Sequence, residues 1–185
     1  MSLPHAILTS LLEKPCTGAE LARRFDKSLG FFWQATHQQI YRELGKMERD
    51  GLIEAHGLPT SRGQQRHFEV LSDGRDELAR WCAQEGEMRP IRDSLLVRMR
   101  AAAVLGSVQG TADVTGVAAE MRRHLLLHGQ MLERYEAIEK QDFQADQSRS
   151  TAEELQLAVV RAGIAYEKSW LAWCRQSLAD LGQES

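Results

Sequence analysis

Four residues, Gln38, Arg42, Gly45 and Arg49, recur at offsets of four, three and four. On a helix that spacing places them along one face. Glutamine and arginine are the side chains that pair bidentately with adenine and guanine edges in a major groove. Gln39, Tyr41 and Lys46 lie at the margins of the same face. Tyr41 and Lys46 suit phosphate oxygens. The opposite face carries Ile40, Leu44 and Met47, which suits a core. Gly45 costs about 1 kcal/mol in a helix interior relative to alanine, a cost that close backbone approach to another surface would repay. A polar helix face is, on its own, equally a solvated face. A second basic element weighs against that reading. The segment from Gly57 to Phe68 holds Arg62, Gln64, Gln65, Arg66 and His67 and no acidic residue. A basic, acid-free hairpin tip fits phosphate or minor-groove contact.

The surrounding sequence must position these groups. Thr36-His37-Gln38-Gln39 is a capping box, and it opens the helix that Asp50-Gly51 closes. Thr36 also stands where free helical amides can meet a phosphate. Upstream, Ile7, Leu8, Leu11 and Leu12 mark a helix over 3–13. Thr17-Gly18-Ala19-Glu20 is a further capping box, for a helix with Leu21, Ala22 and Phe25 on its inner face. Phe31-Phe32-Trp33 reads as an aromatic loop. Leu52–His56 and Arg66–Leu71 read as strands, and Ser72-Asp73-Gly74 as the cap of a helix that turns Leu78, Trp81 and Cys82 inward. Three helices, a hairpin and a helix form a winged helix-turn-helix, assigned to residues 1–87.

Residues 88–185 carry no strand signal. Helices are expected at about 91–105, 114–142 and 150–181, with a loop at Gly106–Gly110 and a capping box at Ser150–Glu153. The last helix has two apolar stripes. One is Leu155, Val159, Ala162, Tyr166, Trp170 and Trp173. The other is Val160, Ile164, Leu171, Cys174 and Leu178. Two stripes require burial on two sides, either within one helical bundle or, as we favour, partly against a second copy.

The motif Phe32-Trp33-x5-Gln39-Ile40-Tyr41-x2-Leu44-x2-Met47-x3-Gly51-Leu52-Ile53 resembles the recognition-helix region of the PadR family of transcriptional regulators. Phe68-Glu69-Val70-Leu71-Ser72-Asp73-Gly74-Arg75-x-Glu77-Leu78 resembles that family's wing-to-helix stretch. Ala6-Ile7-Leu8 and Thr17–Leu21 resemble its first two helices, and Arg89–Asp93 resembles the start of its C-terminal helices. The resemblance is specific over about residues 5–98. It implies a homodimer that binds a pseudo-palindromic operator in double-stranded DNA and is released by a small effector, with phenolic acids as the known class in one branch. It supports Gln39 and Tyr41 as DNA contacts and Arg62, Gln65 and Arg66 as backbone contacts. The residues themselves add Thr36, Gln38, Arg42 and Lys46.

For an effector in the C-terminal half, Tyr166, Trp170 and Trp173 offer flat apolar walls, and Arg92, His128 or Arg161 could meet a carboxylate. The alternative for the aromatics is packing. His124 and His128 have the i, i+4 spacing of a metal pair but no obvious third ligand, so no metal is expected. Nor is a cofactor. Phosphate loops and GxSxG or HExxH motifs are missing, and the chain is read as a non-enzyme. Cys16, Cys82 and Cys174 are too scattered for a disulfide framework and are expected to be buried hydrophobes. No apolar run reaches the roughly 20 residues of a membrane span, and the start lacks a secretory pattern, which places the chain in the cytoplasm. The net charge of −3 excludes no class, because basic patches are local. Two rival readings remain open here. One is a helical interaction module that uses the winged helix for docking. The other is a non-specific architectural DNA binder, which would call for more positive charge.

Overall fold

The computed structural model describes residues 3–27, 35–57, 66–87, 91–110, 112–143 and 148–183. The aromatic loop Phe31–Trp33 and the wing residues Arg62 and Gln65 lie outside them. The chain divides into two compact units, Met1–Met88 and Arg89–Ser185.

The first unit is a winged helix. It runs α1 (Leu3–Glu13), β1 (Cys16–Thr17), α2 (Gly18–Lys27), α3 (His37–Arg49), β2 (Ile53–Gly57), β3 (Arg66–Val70) and α4 (Ser72–Cys82). The antiparallel sheet has the order β1-β3-β2, with Ile53 opposite Val70 and Ala55 opposite Phe68. The core joins Ile7, Leu8 and Leu11 of α1, Leu21, Ala22 and Phe25 of α2, and Ile40, Leu44 and Met47 of α3 to Ile53, Phe68 and Val70 of the sheet. Apart from Ala22, each such side chain contributes roughly 1.5–3 kcal/mol on burial. Both expected capping boxes form. Thr17 N donates to Glu20 Oε2 at 2.9 Å and Glu20 N to Thr17 Oγ1 at 3.3 Å. The Thr36–Gln39 pair is reciprocal in the same way.

Several expectations need correction. Strand β1 is too short to carry a pattern and is defined only by its pairing with β3. Ser72 is not a cap. It lies inside α4, whose N-cap is Leu71 with no side-chain hydrogen bond. Gly74 is a packing residue, because a Cβ there would fall 2.2 Å from the carbonyl oxygen of Leu52. Trp81 and Cys82 are exposed, as is Leu12. Helix α4 rests on the unit's edge, where Trp81 stacks on the His5 ring with centroids 4.4 Å apart. Cys16 and Cys174 are buried, so the expectation of three buried thiols fails at Cys82.

The second unit is helical: α5 (Ser94–Gln109), α6 (Thr115–Asp142) and α7 (Thr151–Asp180). Asp93 caps α5 through its side chain, and Ser150 with Glu153 forms the capping box of α7. The expected loop at Gly106–Gly110 is instead helix as far as Gln109, closed by Gly110 at φ 81°. Gly106 lets the following chain fold back closely, since a Cβ there would lie 2.5 Å from that of Ala112. Helices α6 and α7 form a long antiparallel hairpin. Its bonds run from Arg122–Gln183 at one end to Arg161–Glu139 near the other. Among the described residues no helix is long and apolar enough to cross a membrane.

Candidate nucleic-acid interface and effector site

Helix α3 is built to hold one face down and one face out. Ile40, Leu44 and Met47 are buried, while Gln38, Gln39, Tyr41, Arg42, Lys46 and Arg49 are exposed. The start of α3 is fixed twice. Gln39 Oε1 accepts from Thr36 N at 2.8 Å, and His37 Nε2 lies 2.9 Å from Asp26 Oδ2 on α2. Thr36 and Gln39 therefore have structural work, and the capping interaction occupies the Gln39 side-chain carbonyl.

The outward face carries the groups with unspent hydrogen-bonding capacity. Among the described residues Arg42 and Arg49 pair with no carboxylate, whereas Lys46 Nζ lies 3.9 Å from Glu43 Oε1. At Gly45 the nearest atom to an added Cβ would be Arg49 Nη1 at 3.7 Å, so the helix surface between the arginines is an open notch. Tyr41 leans over the start of α2, its ring against Gly18.

Arg66, at the base of the wing, is engaged more than its sequence context indicates. Its guanidinium pairs with Glu48 near the end of α3 and stands 5.6 Å from the centre of the Phe68 ring. It remains about half exposed. This pair joins the wing to α3 and was not visible in the sequence, because the partners are 18 residues apart on different elements.

In the second unit, His128, Tyr166, Trp170 and Trp173 come together. The His128 ring stacks on Trp170, with centroids 5.0 Å apart and planes 8° apart. Trp173 meets Trp170 edge-on at 5.1 Å, and Tyr166 stands 6.4 Å from Trp170. His124 completes the cluster, 5.6 Å from Trp170. Sequence reasoning missed the group that organises it. Glu167 is a buried carboxylate that accepts from His128 Nδ1 across the α6–α7 seam. The signal was available, since Glu167 interrupts the stripe of Ile164, Leu171, Cys174 and Leu178, all of which are buried. A carboxylate buried in the seam needs such a partner, because leaving it unpaired there is costly. Tyr135 packs against Gly163, and burial, with the Glu167 charge behind it, pushes its phenol up. Arg92 lines a different surface, an open groove along α5 walled by Ile91, Leu96, Val97, Ala101 and Leu105. Arg161 is committed to Glu139 at 2.7 Å.

The two stripes of α7 have different fates. The stripe with Ile164, Leu171, Cys174 and Leu178 is buried within the unit, whereas Leu155, Val159 and Tyr166 are 66%, 50% and 55% exposed.

Residues 7–80 match the family described as transcriptional regulator PadR-like, and residues 91–182 match the family described as virulence activator alpha C-term. Over 94% of both chains, the sequence is 39% identical to a Mycobacterium tuberculosis protein described as probable transcriptional regulator Rv1176c. Among solved structures, PadR of Bacillus subtilis in complex with operator DNA superposes with a TM-score of 0.79 at 20% identity, covering 97% of each chain. The same protein in complex with p-coumaric acid gives 0.72 at 24% identity, over 98% of this chain and 99% of that one. The Vibrio cholerae virulence activator AphA gives 0.73 at 26% identity over 98% of each.

Proposed function

Because the chain belongs to the PadR-like family of transcriptional regulators, we propose that it is a homodimeric, sequence-specific repressor whose hold on DNA is released by a small aromatic acid. The observation that carries the DNA reading is the outward face of α3, where Gln38, Arg42 and Arg49 flank the open notch at Gly45. In this reading Gln38 and Arg42 meet base edges. Tyr41, Lys46 and the wing residues Arg62, Gln65 and Arg66 meet phosphates. Thr36 and Gln39 hold the helix start and present its amides to a phosphate. Two copies of α3 set about 34 Å apart would read a pseudo-palindrome.

Dimerisation is supported by the N-terminal part of the α7 stripe, where Leu155, Val159 and Tyr166 are exposed and, among the described residues, uncovered. Exposed Val97, Val104, Leu105 and Val108 of α5 provide a second apolar surface of the kind such a stripe seeks. Val159→Asp places a charge in this seam. Sedimentation of the full chain should then report a monomer, with far-UV circular dichroism unchanged. A Val159→Asp protein that stays dimeric would remove α7 from the interface.

The effector reading rests on the cluster of His128, Tyr166, Trp170 and Trp173. An aromatic acid would stack on the indoles, with His128 as the group near its carboxylate. Arg92 belongs to this reading only if assembly brings its groove to the cluster. Tryptophan fluorescence, titrated with p-coumaric acid and related phenolic acids, should change in the wild type and not in Trp170→Leu. An unchanged spectrum across that panel, with DNA binding equally unchanged, would exclude this ligand class.

A further inference from the structure

The outward face of the wing hairpin holds four side chains to which the proposed DNA contact assigns no role. The β2–β3 register sets Glu54 opposite Glu69 and His56 opposite His67. Strand alternation turns these four away from the core face, where Ile53, Phe68 and Val70 are buried. Two carboxylates directly opposite each other across a ladder repel. Among the described residues, no lysine or arginine pairs with either. The nearest side-chain partners are imidazoles: His56 Nε2 lies 3.1 Å from Glu54 Oε1, and His67 Nδ1 lies 4.0 Å from Glu69 Oε1.

One donor atom from each of Glu54, His56 and Glu69 lies within 4.8 Å of the other two. A zinc ion bound at about 2 Å from each ligand draws neighbouring donors to roughly 3.3 Å of one another. Exposed side chains on a rigid ladder can close that gap by rotamer adjustment alone. The donor chemistry selects the ion. Calcium needs six to eight oxygens and magnesium a near-ideal octahedron, whereas imidazole with carboxylates suits zinc, nickel or copper.

We propose that Glu54, His56 and Glu69 form a site for one divalent transition metal of the zinc class, which clips β2 to β3 and neutralises two opposed carboxylates. Water completes the coordination, and His67 stands next to Glu69 as a further imidazole. The site is separate from the His124–His128 pair, which packs against Trp170 and whose His128 Nδ1 is taken by Glu167.

The test is equilibrium dialysis of chelator-stripped full-length protein against zinc at pH 7. Parallel samples carry His56→Ala, Glu69→Gln, His124→Ala and Cys82→Ser, each checked by circular dichroism. Uptake should reach one zinc per chain in the wild type, in His124→Ala and in Cys82→Ser. It should weaken by at least the roughly tenfold that loss of a supporting group costs a metal site in His56→Ala and Glu69→Gln. Zinc should raise the thermal midpoint of the wild type by more than that of His56→Ala at the same zinc concentration. Substoichiometric uptake by the wild type, or uptake undiminished by both hairpin substitutions, overturns the proposal.

Discussion

Gly18, the first residue of α2, lies under the ring of Tyr41 on α3, and a Cβ added at Gly18 would come within 2.6 Å of Tyr41 Cε1. The absence of a side chain at one residue thus sets where the phenol of another points. Gly18→Ala should displace Tyr41 and weaken operator binding by about 1 kcal/mol if the phenol meets a phosphate. The same substitution in a Tyr41→Ala background should cost nothing more. A double-mutant cycle read by anisotropy checks this, and additive losses would show that Gly18 acts by another route.

Gly45 should separate stability from binding. Space is open around it, so Gly45→Ala should stabilise the unit by about 0.5–1 kcal/mol through helix propensity alone. The same methyl stands in the notch between Arg42 and Arg49 and should weaken DNA binding. Urea unfolding paired with a binding isotherm reads both signs. Equal affinity with raised stability would place this face of α3 away from DNA.

Glu48 competes with any phosphate for Arg66. Glu48→Gln releases the guanidinium and removes a negative charge, so affinity for DNA should rise. Arg66→Ala should lower the slope of log affinity against log salt by about one. An unchanged slope in Arg66→Ala would mean that the Glu48 pair persists on DNA. As an exposed ion pair it contributes little to folding, so neither variant should shift the unfolding midpoint much.

Acid stability should reflect the caps. A backbone hydrogen bond from Thr17 holds Glu20 below its usual range, and one from Ser150 does the same for Glu153. The Arg123 hydrogen bonds bring Glu120 down to about 2. These carboxyls ionise more readily folded than unfolded. Their contribution is therefore complete above the unfolded value of about 4.3 and is lost as pH falls through the lower folded value. Stability should decline from about pH 4.5 toward pH 2, less steeply in Glu120→Gln than in the wild type. Urea midpoints measured over that range decide it, and identical pH slopes would remove Glu120 as a contributor.

What was legible in the sequence was mostly local. The capping boxes at Thr17, Thr36 and Ser150 are four-residue geometries, and all three form. The buried faces of α1, α2 and α3 follow from helical spacing, with Leu12 as the exception at an exposed margin. Of the two stripes of α7, the one with Ile164, Leu171, Cys174 and Leu178 is buried, while the other divides between exposed Leu155, Val159 and Tyr166 and the half-buried Trp170 and Trp173. The misreadings depend on partners far away in sequence. Strand β1 exists only through Phe68 and His67. Gly106 looks like a loop until Ala112 is seen against it. Trp81 and Cys82 have inward spacing but are exposed, Trp81 lying over the His5 ring. The pairs Glu48–Arg66 and His128–Glu167 join elements whose approach no single-helix pattern encodes.

The most direct test of the central claim is fluorescence-anisotropy binding of the full chain to DNA upstream of its own gene, against a scrambled duplex, across a salt series. Tight binding to the native duplex alone is predicted, with a salt slope of several phosphates and a loss of about 1–3 kcal/mol in Arg42→Ala. Equal weak binding to both duplexes, or an Arg42→Ala protein with full affinity, would contradict it.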